Sequence, residues 1–167
     1  MRIEQAVREQ LPEIMEIYSK ARSFMAENGN PSQWGGGYPS RELLEGDLER
    51  GQLYVCLEEE QLAAVFVFFV GEEPNYREIR DGQWKNDRIY GTLHRIASSG
   101  ICRGAATFCV RWCQEQCRLR GADMRGDTHE DNLPMQRVLE KNGFQRCGTI
   151  FVEDGSPRIA YQYCTGE

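Results

Sequence analysis

Long apolar runs are scarce in this chain. The longest, LAAVFVFFV at 62–70, falls well short of the ~20 residues a membrane-spanning helix needs and suits a buried strand. The first ten residues, MRIEQAVREQ, show neither a basic region nor an apolar stretch, so no export signal is expected and a soluble cytoplasmic protein is the default reading. Clustered lysine and arginine are also lacking. The net charge of −6 argues against general binding to a phosphate backbone, so no nucleic-acid partner is expected, and no membrane partner either. An acidic surface is compatible with a cationic substrate such as an amine, although it also simply favours solubility. The seven cysteines contain no CxxC pair, and no histidine pair stands near them at zinc-ligand spacing. Cys109, Cys113 and Cys117 recur every fourth residue and so share one helix face. Free cysteine is among the most buried residue types, so these read as reduced core thiols packed against a sheet, and no metal is expected. No repeat, low-complexity tract or linker interrupts the chain, and its 167 residues, 40% apolar and 28% charged, fit one globular domain over 1–167.

The periodicities give an order of elements. A short strand over Arg2–Val7 precedes an amphipathic helix over Leu11–Glu27, with Leu11, Ile14, Met15, Tyr18, Ala21 and Met25 at helical spacing. Asn-Gly-Asn-Pro stops that helix, and the three glycines of SQWGGGYPS make a turned loop. Ser40 caps a short helix over Arg41–Glu49. Gln52–Leu57 and Leu62–Val70 read as antiparallel strands joined by EEEQ. Gly71–Asp87 lacks periodicity and reads as mostly irregular, the kind of segment that carries specificity. Strands at Arg88–Ala97 and Ala122–Asp127 flank the cysteine-rich helix, TFCVRWCQEQC. A helix at Asn132–Asn142 leads to a hairpin of Phe144–Val152 and Arg158–Tyr163 turning at EDGS. The expected fold class is α/β, one domain with a mixed, mostly antiparallel central sheet flanked by helices on both faces.

The stretch from Leu93 to Phe144 is the most informative. The strand LHRIAS runs into the loop SSGICRGAA, which opens the cysteine-rich helix. A loop delivering free backbone N–H groups to a helix N-terminus is a ready-made anion site, for phosphate in particular. The strand ADMRGD then leads into THEDNLPMQRVLEKNGF. This order, with Arg103-Gly104 at the loop's end and Asn132 twelve residues before Phe144, resembles the acetyl-CoA-binding half of the GNAT superfamily of N-acetyltransferases. The order of elements matches that fold over essentially the whole chain. DTHEDN, HRIASSG, GQW and EDGSPRIAYQ further resemble a branch of bacterial-type members whose substrates are generally unassigned.

The resemblance implies an acetyl-CoA-dependent N-acetyltransferase, with acetyl-CoA as co-substrate and direct transfer to a primary amine of a small molecule or peptide. A GNAT-fold module that binds or senses an acyl-CoA without efficient turnover is the alternative, and family habit leans toward a homodimer. In the family's phosphate loop, Arg/Gln-x-x-Gly-x-Gly/Ala, Arg103 takes the first position, while Ala106 and Phe108 replace the two small ones and Gly104 and Ala105 keep the loop small. The resemblance further implies that the end of the strand, Arg95–Ser98, splays from its neighbour near Asp127. The pantetheine arm would then bond main-chain groups of Ile96, Ala97 and Ser98, and Asn132 would contact the cofactor arm. Asn132 also reads as a plain N-cap with Pro134 in the first turn.

Direct transfer needs a proton acceptor for an ammonium of pKa about 10, donors for the developing oxyanion and relief for the departing thiolate. A backbone N–H near Ile96 could serve the oxyanion. The tyrosine that many members carry seven residues after the helix-opening Asn is Leu139 here, which leaves Tyr90 or Tyr161 as substitutes. For the base, the only histidines are His94 and His129. His94 should share a strand face with Tyr90 and Thr92. Asp127 and Glu130 are further candidates as bases or ammonium anchors, or they complement a helix dipole. Trp34, Tyr38, Tyr76 and Trp84 lie in irregular segments, either as walls of an acceptor pocket or as staples holding loops to the core. Transfer through a Cys102 acyl-enzyme is disfavoured, because no base is paired with that thiol in the sequence.

Overall fold

The structure is a computed structural model and describes residues 1–166. Seven strands form one mixed sheet in the order β1-β2-β3-β4-β5-β7-β6. They are β1 (Arg2–Gln5), β2 (Leu53–Glu58), β3 (Gln61–Val70), β4 (Tyr90–Ser98), β5 (Asp123–Thr128), β6 (Gln145–Phe151) and β7 (Pro157–Tyr163). The four helices are α1 (Leu11–Glu27), α2 (Arg41–Glu49), α3 (Ala105–Leu119) and α4 (Leu133–Lys141). This is the mixed α/β class expected. The chain divides into two compact units, Met1–Phe68 with Arg95–Cys109, and Phe69–His94 with Val110–Glu167.

In the first unit, α1 buries Leu11, Ile14, Ile17 and Tyr18 along one stripe, the 3.6-residue periodicity of a core-facing helix. It ends where Gly29 takes φ +85 and Asn30 N–H returns to Met25 O at 2.8 Å, a left-handed stop that satisfies a last-turn carbonyl. Ser40 caps α2 by accepting Leu43 N–H at 3.1 Å. β1 stops at Gln5, two residues earlier than its sequence pattern suggests, because a 3₁₀ turn at Arg8–Gln10 follows directly. There the Gln10 side chain accepts Val7 N–H at 2.9 Å and turns the chain out of the sheet. β1, β2 and β3 pair antiparallel, and the run Leu62–Phe68 is buried throughout.

In the second unit, β4 and β5 pair in parallel, Tyr90–Thr92 against Asp123–Arg125. Among the described residues their ladder stops there, although β5 runs on to Thr128. β5 pairs antiparallel with β7, and β7 with β6. Cys113 and Cys117 of α3 are fully buried, as is Cys109 in the first unit. The segment Gly71–Asp87 is mostly irregular, as its lack of periodicity implies. It contains a 3₁₀ turn at Pro74–Tyr76 and an antiparallel bridge of Arg80 with Thr149, closed by hydrogen bonds of 2.9 and 2.8 Å. Its fixed course follows from its side chains: Tyr76 is buried at 1% exposure and Trp84 packs beside it.

Candidate active site

The first unit carries the loop between β4 and α3. Ser99 N–H donates to Ala63 O at 2.9 Å, fixing the loop's start on β3. Gly100 and Gly104 take φ +88 and +79, the left-handed region where glycine is least strained. The first intrahelical bond runs from Phe108 N–H to Gly104 O at 2.9 Å. The N–H groups before Phe108 in that turn have no intrahelical acceptor, as at any helix start, and carry the positive end of the helix dipole. Phe108 lies beyond them. Arg103 and Gly104 are exposed, Ala105 is buried, and Ala106 and Phe108 are half-buried. On β4, Ile96 is half-buried, Ala97 buried and Ser98 exposed.

Arg95, at the start of that stretch, takes φ +48 within a strand. Three groups hold it. Its guanidinium pairs with the carboxylate of Asp47 on α2, its Nη1 donates to Tyr38 Oη at 3.2 Å, and its carbonyl accepts the Tyr18 hydroxyl at 2.7 Å. Burial pushes the Tyr18 phenol far above its ordinary value, so it remains a donor. Trp34 packs edge-on against Tyr18, with ring centroids 5.5 Å apart, and stands in this unit's core. The Asp47–Arg95 pair escaped the sequence reading. Its signal was a carboxylate three residues after Leu44 on the buried stripe of α2.

The second unit gathers five of the expected residues: His94, Asp127, Tyr76, Tyr90 and Trp84. His94 Nε2 lies 2.8 Å from Glu73 Oε2. Tyr76 Oη donates to Asp127 Oδ2 at 2.6 Å, and Glu73 N–H donates to Tyr90 Oη at 2.8 Å. The Tyr76 ring lies 6.2 Å from Tyr90, 6.1 Å from His94 and 5.3 Å from Trp84. Burial, and then the Asp127 charge, push the Tyr76 phenol well above its ordinary value. The Arg125 guanidinium sits 4.2 Å from the Trp84 ring centroid and 4.1 Å from that of Tyr90, a double cation–π contact. Glu73 was also missed by sequence reasoning, hidden in a polar segment with three other acidic residues, Glu72, Glu78 and Asp81.

The remaining expected residues lie in local arrangements. His129 Nδ1 accepts Asp131 N–H at 3.0 Å, and Glu130 is exposed, its carbonyl accepting from Gln136 at 2.8 Å. Asn132 caps α4, Oδ1 accepting Met135 N–H at 3.2 Å. Leu139 and Tyr161 are both buried, with the Arg146 guanidinium 5.9 Å from the Tyr161 ring centroid. Among the described residues no three His, Cys, Asp or Glu side chains converge as a metal site, and no helix is long and apolar enough to cross a membrane.

Comparison with known proteins places the fold. The chain is similar to a GNAT-family acetyltransferase of Streptococcus agalactiae, at 34% identity over 99% of this chain and 96% of that one, with a TM-score of 0.84. A GNAT-family acetyltransferase of Listeria monocytogenes shares the fold at 18% identity, 96% and 92% coverage and a TM-score of 0.70. So does Salmonella typhimurium yncA, solved with its cofactor acetyl-CoA, at 16% identity, 99% and 94% coverage and a TM-score of 0.63. No protein-family model matches the chain, and no curated protein does. The first similarity is decisive in identity and extent. The chain belongs to the GNAT family of acetyltransferases.

Proposed function

We propose that this chain is an acetyl-CoA-dependent N-acetyltransferase that moves an acetyl group directly to a primary amine, of a small molecule or a peptide, in a ternary complex. The observation that carries the reading is the first turn of α3 behind a loop with two left-handed glycines, an arrangement that supports a pyrophosphate site there. The acetyl-CoA of yncA supports the same ligand here. Arg103 supplies a charge beside that turn, Gly104, Ala105 and Ala106 supply its small backbone, and Ile96, Ala97 and Ser98 offer main-chain groups to the pantetheine arm. Asn132 is a second contact for that arm. The cluster of the second unit serves the amine.

A binding or sensing module is the other reading, and Leu139, Ala106 and Phe108 favour it, since they stand where the family carries a tyrosine and small residues. One experiment separates the two. Thermal unfolding is followed with saturating acetyl-CoA, with ATP and desulfo-CoA as controls, and CoA release is then followed with a panel of primary alkyl amines. A ligand at a hundred times its Kd adds about 2.7 kcal/mol, which for a domain of this size raises the midpoint by roughly 5–10 °C. A shift with acetyl-CoA but not ATP, together with amine-dependent CoA release, is the expected result. A shift without release would favour the sensing module, and no shift at millimolar acetyl-CoA would end both readings.

A further inference from the structure

Two hydrogen-bonded pairs share one cluster in the second unit: His94 with Glu73, and Tyr76 with Asp127. Glu73 is held in place from three directions. Its Oε2 meets His94 Nε2 at 2.8 Å, its Oε1 accepts Asn75 N–H at 3.1 Å, and its own N–H is anchored on the Tyr90 hydroxyl at 2.8 Å. A carboxylate only accepts hydrogen bonds, so it selects the tautomer of neutral imidazole with the proton on Nε2. The lone pair then resides on Nδ1, which makes no hydrogen bond among the described residues, on a side chain 21% exposed. Phe69 and Tyr76 flank the ring, at centroid distances of 6.2 and 6.1 Å. The titratable groups against His94 are therefore Glu73 and Tyr76, which in turn bond Tyr90 and Asp127. Tyr76 stays protonated and spends its hydroxyl on Asp127.

We propose that His94, through Nδ1, is the catalytic residue that takes the proton from the acceptor ammonium, and that Glu73 is the positioning residue that fixes its tautomer and ring. The proposal rests on the acetyl-transfer reading and names the proton acceptor that reading requires. His94 Nδ1 takes one proton from the ammonium and frees the nitrogen lone pair. That lone pair forms the new C–N bond at the thioester carbonyl carbon. The tetrahedral adduct collapses with cleavage of the C–S bond, and the second nitrogen proton passes to the departing thiolate. The products are the N-acetyl amine, CoA thiol and one proton, which His94 returns to solvent. Asp127 offers the carboxylate oxygen not bonded to Tyr76 as an anchor for the incoming ammonium, so the acceptor class is an alkyl amine that arrives charged.

The test has two arms. In the first, imidazole nitrogen NMR on ¹⁵N-histidine protein reads the tautomers directly. The chain has two histidines, so His129→Gln assigns the signals. The expected result is Nε2–H with a bare Nδ1 at His94 in the neutral state, and mixed tautomers in Glu73→Gln. In the second arm, CoA release is measured with primary alkyl amines and with hydroxylamine, which is largely unprotonated at neutral pH and needs no base to expose its lone pair. His94→Gln should lose about 10²–10³-fold with alkyl amines but about tenfold or less with hydroxylamine. Glu73→Gln should lower kcat about tenfold while leaving KM for acetyl-CoA in place, with partial rescue by Glu73→Asp. An Nδ1–H tautomer at His94, or equal losses on both nucleophiles, would overturn the dyad. A wild-type chain that binds acetyl-CoA yet acetylates neither nucleophile would instead overturn the acetyl-transfer reading, and the assignment of His94 with it.

Discussion

Arg95 sits at φ +48 in mid-strand, a conformation that costs a residue with a Cβ about 1 kcal/mol or more. Such strain persists only where the surroundings impose it. Asp47, Tyr18 and Tyr38 do so here, and the residues that follow on β4, Ile96 to Ser98, are those proposed to bond the cofactor. Removing the arginine side chain loses the ion pair in either Arg95→Ala or Arg95→Gly, but only glycine relaxes at a positive φ. Arg95→Gly should therefore be more stable than Arg95→Ala by about 1 kcal/mol in urea unfolding, and equal stabilities would mean that the residue is unstrained. Asp47→Ala leaves the guanidinium without its buried partner and should cost about 3 kcal/mol. Thiol chemistry belongs to the same scale. Cys56, Cys109, Cys113, Cys117 and Cys147 are buried, whereas Cys102 and Cys164 are partly exposed. Burial pushes Cys117 up to about 12 and Cys109 higher still, so both stay as thiols at neutral pH. Maleimide should label two sites quickly, identified by peptide mass mapping, and the other five only on unfolding.

Among the elements, the segment Gly71–Asp87 shows most clearly what the sequence concealed. The helices were legible: α1 and α2 have the boundaries their apolar stripes and caps imply, because a 3.6-residue stripe bounded by Ser40 or by Asn-Gly is a local property. Strand ends shifted by one or two residues, since they are set by partners distant in sequence. Gly71–Asp87 has no periodicity to read because single contacts order it: Trp84 Nε1 donating to Tyr76 O at 2.9 Å within the segment, and, from far along the chain, Arg125 between Trp84 and Tyr90 and the bridge of Arg80 with Thr149. The candidate histidine and aspartate could be named from residue type and position on their strands. Glu73 could not, because its role exists only once this segment is folded back. The bridge also explains two glycines. A Cβ on Gly82 would stand 1.9 Å from Cys147 O, and one on Gly148 would stand 2.6 Å from Arg80 O. Both contacts are with backbone, which cannot swing aside. Gly82→Ala should therefore destabilise the protein by about 2–3 kcal/mol in denaturant unfolding. It should also lower amine turnover more than acetyl-CoA binding, because the displaced segment carries Glu73. Wild-type stability in Gly82→Ala would show that the segment is not pinned to β6.

For the whole molecule, the distribution of buried acids fixes how stability responds to pH. Both units keep neutral thiols and phenols out of water: Cys56, Cys109 and Tyr18 in the first, and Cys117, Cys147, Tyr76 and Tyr161 in the second. Burial raises every one of them. A group whose folded value is raised contributes its stability in full below its unfolded value and loses it as pH climbs toward the folded one. Unfolded thiols ionise from about pH 8.5, while Cys117 in the folded chain holds its proton to about 12. The native state thus binds more protons than the unfolded state across that window, so stability must fall as pH rises. Each fully protected thiol contributes at most about 1.4 kcal/mol per pH unit. Water penetration reduces this, and a loss of about 2–4 kcal/mol between pH 8 and pH 10 is expected. Urea unfolding at pH 7.5, 9 and 10 measures it, the midpoint falling while the slope with denaturant holds. Cys117→Ala should make the pH dependence shallower even though it lowers stability at pH 7.5. A midpoint unchanged up to pH 10 would mean that these thiols reach solvent in the folded state, and the buried cysteine face of α3 would then be open to water.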